Sequence, residues 1–362
     1  MSRKLHKFQT VAEYQAYSAS TDYTTPCVAV VEENNVIYYD YGDNKPQPNY
    51  TDFKVSTKSL VSDGGDTYGL GEKLCLNYIP SGVTSLEGAF SNWSSLEEVT
   101  CEIPSGVTNM INTFYYCSSL VTAPEIPSGV TSLYYTFGNC TSLVTAPKIP
   151  SGVTSLDATF YNCSSLVNAP EIPSGVTNMN NTFNYCSSLV TAPEIPSGVT
   201  SLYHTFRNCS NLVTAPKIPS GVTDMEYTFR SCTSLVNAPD IPSGVTVMEY
   251  TFGGCSSLVN APVIPSGVTS LYGTFYNCSS LVTAPKIPSG VTNMNNTFNG
   301  CTSLKEVTFL HTNPPSYNRT LTDCSKLETI YVPDSAVSAY KTATGWLEFA
   351  SKIKPISSKP SE

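Results

Sequence analysis

Residues 126–148 read IPSGVTSLYYTFGNCTSLVTAPK, and nearly the same string recurs along most of this 362-residue chain. Ten copies of Ile-Pro-Ser-Gly-Val begin at Ile79, Ile103, Ile126, Ile149, Ile172, Ile195, Ile218, Ile241, Ile264 and Ile287. Successive copies are 24 residues apart once and 23 residues apart thereafter. A fixed period of about 20–29 residues is typical of solenoids, in which each repeat forms one coil that stacks on its neighbours.

The apolar positions of the repeat predict its core. Six positions of each unit keep an apolar or thiol-bearing residue, and in this unit they are Ile126, Val130, Leu133, Phe137, Cys140 and Leu143. Such side chains are usually buried, so we expect them to stack inward, coil upon coil. Pro127 presets φ and Gly129 suits the fourth position of a tight turn, which predicts a type I turn over 126–129. These features favour a β-rich solenoid of about ten 23-residue coils, spanning 76–304.

The two ends of the chain lack the full repeat. Residues 1–50 are predicted to form a small α+β anchor or capping unit, with a helix over 10–17 and a β-hairpin of 27–31 and 36–39. Residues 51–75 are expected to be a linker or first cap. Residues 305–362 are interpreted as shortened repeats and a C-terminal cap.

The C-terminal cap is predicted to contain a short helix. It should begin at Asp334 or Ser335 and end at Gly345. Beyond it, Trp346, Phe349 and Ile353 could cover the last coil, which a solenoid needs because its terminal repeat has no neighbour.

Composition excludes several classes of partner. The formal net charge is −9, only 13% of residues are charged, and Lys and Arg form no run. Because nucleic acids and anionic membranes attract basic surfaces, no nucleic-acid partner and no membrane insertion are expected. The sequence shows neither a signal peptide nor a membrane span. The oligomeric state stays open.

Ten of the thirteen cysteines occupy one position of the repeat. They are Cys117, Cys140, Cys163, Cys186, Cys209, Cys232, Cys255, Cys278, Cys301 and Cys324. Stacked coils would hold their Cβ atoms about 4.8 Å apart with parallel vectors, whereas a disulfide requires about 3.8 Å and converging vectors. We therefore expect a structural ladder of reduced thiols. No Cys-x-x-Cys motif or paired His supports a metal site.

Catalytic signals are weak. The three histidines, His6, His204 and His311, lie in different regions, and His204 is expected to be one solvated member of a variable surface column. The Gly-rich stretch 64–71 matches no phosphate-binding or dinucleotide motif. Paired carboxylates for polysaccharide cleavage do not stand out. The sequence thus predicts no enzyme, no metal and no cofactor.

Variation within the repeat concentrates at the four positions that flank the Thr-Phe pair. They carry Tyr, Asn, Arg and one His, residue types common on recognition surfaces. The candidate binding surface is Tyr134, Tyr135, Tyr161, Tyr185, Tyr203, His204, Arg207, Tyr227, Arg230, Tyr250, Tyr272 and Tyr276, with Tyr115, Tyr116 and asparagines such as Asn180, Asn181 and Asn184 beside it. The alternative is that these side chains only ladder between coils and keep the exterior polar.

The pattern Ile-Pro-x-x-Val-x-x-Leu-x-x-x-Phe-x-x-Cys-x-x-Leu over 76–330 resembles the BspA-like, or Treponema-type, leucine-rich repeats. The closing segment from Ile330 to Ile353 is similar to the cap of those proteins. The resemblance implies a right-handed leucine-rich-repeat coil with parallel strands, no enzyme activity, and adhesion to host proteins or cell surfaces. One departure is an extra residue before most Ile-Pro steps. The added Pro, such as Pro124, lacks an N–H and should interrupt the strand ladder.

The N-terminal pattern Phe8…Tyr14…Tyr17…Thr25-Pro…Val36-Ile-Tyr-Tyr is similar to short modules of gut-phage appendage proteins. With no leader visible, the first functional hypothesis is a virion structural protein, a tail or capsid appendage that displays its repeats for adhesion. Its partners would be a protein or glycan on a cell surface and, through the N-terminal unit, other virion proteins. The alternative is a BspA-like adhesin located on a bacterial cell surface.

Overall fold

The computed structural model describes residues 4–8, 27–31, 36–40, 53–57, 74–79 and 82–360. The N-terminal strands β1 (Lys4–Phe8), β2 (Cys27–Val31), β3 (Val36–Asp40), β4 (Phe53–Thr57) and β5 (Leu74–Tyr78) join β6 (Leu96–Val99) of the first coil in one six-stranded sheet. Its order is β1-β2-β3-β4-β5-β6. Strands β2 and β3 pair antiparallel, and β5 pairs parallel to β6, so this sheet continues into the solenoid.

Part of the segment predicted to be a linker or first cap is a strand. Strand β4 lies within 51–75 and pairs antiparallel with both β3 and β5. The alternation of Phe53, Val55 and Thr57 with polar residues is typical of a strand. The Gly-rich stretch that follows favours a linker, so the strand is not predicted from the sequence. That stretch and the helix predicted over 10–17 lie outside the described residues.

The central coils stack through backbone hydrogen bonds between alternate residues. The amides of Leu133, Tyr135, Phe137 and Asn139 donate to carbonyl oxygens one coil further on, at 3.1, 3.3, 3.0 and 2.6 Å. Within a coil, the backbone changes direction at successive hydrogen-bonded turns. The turn at Ile-Pro-Ser-Gly is closed by the Val130 amide on the Pro127 carbonyl at 3.2 Å, so it lies one residue later than predicted and places Ser128 and Gly129 at its centre.

The core is a set of columns that run along the solenoid. Phe206 is fully buried, and its ring stacks on Phe183 and on Phe229 with 5.7 Å between centroids on each side. Equivalent stacks run from Phe90 to Phe298. The Val, Leu or Met, and Leu positions of each unit are buried in columns of their own. Each coil therefore buries its apolar side chains against both neighbours.

The repeated Thr and Cys side chains of this core are hydrogen-bonded to backbone carbonyls. The Thr159 hydroxyl donates to the Leu133 carbonyl at 2.9 Å, and the Cys163 thiol donates to the Phe137 carbonyl at 3.1 Å. The same two bonds recur in the neighbouring coils. Because an unpaired buried polar group is costly, these bonds explain how Thr and Cys are accommodated in the interior.

The central coils contain less strand than the sequence predicts. Between residues 100 and 282, all of them described, adjacent coils meet in isolated parallel bridges such as Thr122 with Thr145 and Ser132 with Ser155. The Ala-Pro step has no amide hydrogen at Pro, so the ladder stops after one bridge. Where β7 (Thr283–Ile287) meets β8 (Glu306–Phe309), the register shifts between Thr283 and Lys286, next to that extra residue. The predicted interruption is confirmed there.

The last coils form a four-stranded parallel sheet of order β10-β9-β8-β7, with β9 at Thr329–Val332 and β10 at Ile353–Pro355. A 3₁₀ turn at Asp334–Ala336 leads into helix α1 (Val337–Thr342). Trp346 is fully buried, its Nε1–H donates to the Pro315 carbonyl at 2.8 Å, and its ring packs edge-on against Phe309 and Tyr340. This aromatic cluster covers the core at the C-terminal end.

Candidate functional site

The four variable positions of each unit lie on turns, and two of them have a left-handed backbone. The residue before Thr has φ near +50° at Tyr135, Ala158, His204, Tyr227 and Tyr250, and the residue before Cys has φ near +60° at Tyr116 and Tyr185. Gly and Asn adopt this conformation readily, and other coils have Gly88, Asn112, Asn181, Gly273 and Asn296 at the first of these positions. Tyr, His and Ala adopt it at a cost of about 1–2 kcal/mol each.

The candidate residues predicted from sequence are brought together in one continuous row, here called the aromatic stripe. It comprises Tyr115, Tyr116, Tyr134, Tyr135, Tyr161, Tyr185, Tyr203, His204, Arg207, Tyr227, Arg230, Tyr250, Tyr272 and Tyr276. Rings in contact within the stripe have centroids 4.2–6.4 Å apart, and Arg207 joins Tyr185 to Tyr227 where no ring contact does. The stripe crosses eight coils, from that of Phe114 to that of Phe275.

The N-terminal half of the stripe is built from tyrosines alone. Tyr135 contacts Tyr115, Tyr134 and Tyr161 edge-on at 5.2, 4.8 and 5.9 Å. Edge-on packing leaves ring faces and hydroxyls at the surface, and Tyr116 and Tyr134 are 45% and 40% exposed. Burial and neighbouring tyrosines raise the pKa of Tyr115 to about 12, so its phenol is a neutral hydrogen-bonding group near pH 7.

The central part of the stripe contains two arginines held against rings. The Arg207 guanidinium lies 5.6 Å from the Tyr185 ring and 5.7 Å from the Tyr227 ring. Arg230 lies 5.3 Å from Tyr227 and 4.9 Å from Tyr250. Cation–π contacts on both sides hold each side chain in place, which reduces the entropy lost on binding a ligand.

His204 differs from the solvated side chain predicted for it. It is 9% exposed, its ring lies 4.2 Å from Tyr203 and 4.6 Å from Tyr227, and its Nδ1 accepts a hydrogen bond from Arg207 at 3.2 Å. Burial, reinforced by Arg207 and Arg230, lowers the pKa of His204 to about 4. A neutral imidazole is therefore part of the packed stripe, because the flanking rings cover it.

An acidic border that the sequence analysis missed runs beside the central rings. Asp224 accepts hydrogen bonds from the Ser201 hydroxyl at 3.0 Å and the Glu226 amide at 2.9 Å, and Glu249 accepts one from Ser270 at 2.7 Å. Burial, together with Glu249 and Asp224, raises the pKa of Glu226. In sequence these residues look like ordinary surface variants of the repeat, so only their clustering reveals them.

Glycine makes room for the stripe at one contact. The Tyr250 ring lies over Gly273, and a Cβ at Gly273 would overlap that ring. Gly273 also has φ +61°, in the left-handed region that glycine adopts without strain. The edge-on contact of Tyr250 with Tyr272 at 5.0 Å therefore depends on glycine in the adjacent coil.

The ten column cysteines lie inside the solenoid, apart from the stripe. The eleven cysteines whose side chains are described, Cys101 and the ten of the column, form no disulfide. Burial raises the pKa of the column thiols, to about 12 for Cys255. A neutral buried thiol is a poor nucleophile and a poor metal ligand. In the described part of the chain, no three His, Cys, Asp or Glu side chains form a group suited to a metal ion.

Of the other two histidines, His311 is the one whose side chain the structure describes. His311 is buried near the C-terminal sheet, where its Nε2 lies 2.6 Å from the Val291 carbonyl, and the side chain of His6 is outside the described residues. None of the described helices is both long and apolar enough to cross a membrane.

Stacked coils, parallel bridges and continuous internal columns define a leucine-rich-repeat protein with a patterned outer surface. The family model for the BspA type leucine rich repeat region matches residues 76–190, 111–236 and 225–344. The chain belongs to this family, which confirms the resemblance seen in the sequence.

Three solved structures are similar to this chain. A leucine-rich repeat protein from Bacteroides ovatus is 20% identical, with a TM-score of 0.45, 83% of this chain covered and 98% of that one. A leucine rich cell surface protein from Faecalibacterium prausnitzii is 22% identical, with a TM-score of 0.40 and coverage of 75% and 94%. A leucine-rich repeat protein from Eubacterium ventriosum is 23% identical, with a TM-score of 0.41 and coverage of 73% and 74%. Among curated proteins, none matches.

Proposed function

We propose that this chain is a non-catalytic adhesin of a bacterial cell surface and that the aromatic stripe is its binding surface. The observation that carries the proposal is the left-handed backbone at Tyr135, His204, Tyr227 and Tyr250. A polar exterior alone could be made with Asn or Gly at these positions, as neighbouring coils do. Retaining costly side chains at turns is typical of functional sites.

The chemistry of the stripe also supports recognition. Tyrosine provides rigid contact area and a hydrogen-bonding hydroxyl at low entropic cost, and arginine provides directed donors. An elongated ligand could contact several coils at once, so weak contacts would add up along the stripe. BspA-like repeats are associated with adhesion, which agrees with this role.

The virion appendage, the first hypothesis from sequence, has no support in the family match. Part of the N-terminal pattern on which it depends, Tyr14, Tyr17 and Thr25-Pro26, lies outside the described residues. The family match favours a bacterial surface protein instead. We propose that its ligand is a protein or a glycan.

The test is adhesion of the fluorescently labelled full chain to cultured epithelial cells, measured by flow cytometry. The variant replaces Tyr203, Tyr227 and Tyr250 with Ser. Its matched control replaces Val190, Val213 and Val236 with Ser, three side chains that are 39%, 48% and 39% exposed in a different column. We expect the tyrosine variant to lose binding and the valine variant to retain it. Unchanged binding of the tyrosine variant, or no binding by the wild type, would refute the proposal.

A further inference from the structure

Arg207 and Arg230 occupy the same repeat position in adjacent coils. Neither forms an ion pair with a carboxylate in the described part of the chain, where the ion pair present is Lys359 with Glu306 at 2.9 Å. Arg207 Nε is buried and has no hydrogen-bond partner among the described residues. Two positive charges are thus held side by side without an acidic partner.

Arg207 donates one N–H of Nη1 to His204 Nδ1 at 3.2 Å and its Nε is buried, so the donors that it offers a ligand are the remaining N–H groups of Nη1 and Nη2. A guanidinium that lies over aromatic rings has its faces covered, while its N–H groups point outward in its own plane. That planar fork matches the two oxygens of a carboxylate. The nearby carboxylates do not occupy these donors. Asp224 and Glu249 accept hydrogen bonds from Ser201 and Ser270 instead. In sequence, Asp224, Glu226 and Glu249 come before the Tyr227 or Tyr250 position of their coils, whereas the arginines come directly after the Phe position.

We propose that the centre of the aromatic stripe binds a linear acidic polysaccharide, with uronic acid carboxylates on Arg207 and Arg230 and sugar faces on the neighbouring tyrosine rings. This inference rests on the proposed function, because it names the ligand class of the same surface. It adds that the positive charges of Arg207 and Arg230 select an acidic glycan.

The spacing of the coils favours a glycan over an extended peptide. Stacked rings of adjacent coils are 5.2 Å apart at Tyr227 and Tyr250 and 5.7 Å apart at Phe206 and Phe229. Side chains on one face of an extended peptide repeat at about 6.6–6.8 Å and would lose register within a few coils.

The experiment measures binding of the full chain to polygalacturonate by isothermal titration calorimetry. Fully methyl-esterified polygalacturonate is the ligand control, because it keeps the sugar chain and removes the charge. The protein variants are R207Q/R230Q and the more conservative R207K/R230K. The matched control is K217Q/K286Q, which removes two positive charges from exposed side chains of a different column. Thermal melting verifies that each variant is folded.

We expect wild type and K217Q/K286Q to bind the acid form and to bind the ester much more weakly. Each arginine should contribute about tenfold in affinity, since a hydrogen bond to a charged group is worth about 1.5 kcal/mol or more. R207K/R230K should recover only part of the loss, because lysine lacks the planar fork. Added salt should weaken binding by the wild type.

Equal binding of the acid and the ester by the wild type would overturn the inference, even if R207Q/R230Q failed to fold. So would unchanged affinity in a folded R207Q/R230Q, or an equal loss in K217Q/K286Q. If the wild type adheres to cells through Tyr203, Tyr227 and Tyr250 but does not bind polygalacturonate, the acidic ligand is wrong and the proposed function stands. If the tyrosine variant adheres normally, the proposed function itself is wrong.

Discussion

Replacing Phe206 with Ala should weaken the solenoid at its middle. The ring is fully buried and stacks on Phe183 and Phe229, at 5.7 Å on each side. Truncating a buried Phe to Ala typically costs about 3–5 kcal/mol. Each stacked aromatic pair adds about 0.5–1.5 kcal/mol beyond area burial, and two such pairs are lost here. We therefore expect a loss of about 5 kcal/mol, the upper end of the range.

The two tryptophans provide a suitable assay, because they lie at opposite ends of the solenoid. Trp93 is in the first coil and Trp346 in the C-terminal cap, and both are buried. Urea unfolding followed by fluorescence in W346F and W93F backgrounds would report each end separately. Since coils are coupled only to their neighbours, F206A should lower the unfolding midpoint and separate the two transitions.

Val213→Ala is the control from the same coil, where Val213 is 48% exposed. Exposed substitutions of this kind usually change stability by less than about 0.5 kcal/mol. If F206A costs no more than this control, the Phe column is not a continuous core, and the packing argument for the solenoid fails.

Three further predictions concern buried polar groups. Burial raises the pKa of Cys255 to about 12, so mass spectrometry should find it alkylated by iodoacetamide slowly in the native chain and rapidly in guanidinium chloride; rapid native alkylation would contradict its burial. His204 has a pKa of about 4 in the folded chain against an ordinary 6.5, so the unfolded state binds more protons between these values and stability should fall as pH falls through that window. H204N should flatten this fall in urea unfolding at several pH values, and an unchanged slope would count against a buried imidazole. Thr205→Val removes a buried hydroxyl that donates to the Met179 carbonyl at 3.0 Å and should cost about 1–2 kcal/mol in the same assay. Thr233→Val, at an exposed bond of 3.2 Å, should cost much less, and equal costs would argue that the Thr column does not stabilise the interior.

Some of the candidate site could be predicted from residue types alone. Tyr and Arg at the positions flanking Thr-Phe indicated a recognition surface, because these positions vary while the core positions do not. The mixture of residue types in one column also predicts the backbone conformation. Gly88, Asn112, Asn181, Gly273 and Asn296 share one position of the repeat, and this mixture of Gly and Asn is typical of a left-handed backbone.

The sequence alone determined the solenoid, its family and its internal columns. A 23-residue period repeats the same apolar side chains at the same places, and only stacking can bury all of them. The tertiary structure decided which surface residues meet. The Arg207 contacts with Tyr185 and Tyr227 join side chains in three different coils, and burial of His204 depends on the rings beside it. Such contacts depend on the left-handed turns and on the spacing between coils, because these set the direction of each side chain. Neither feature can be predicted from the type of a single residue.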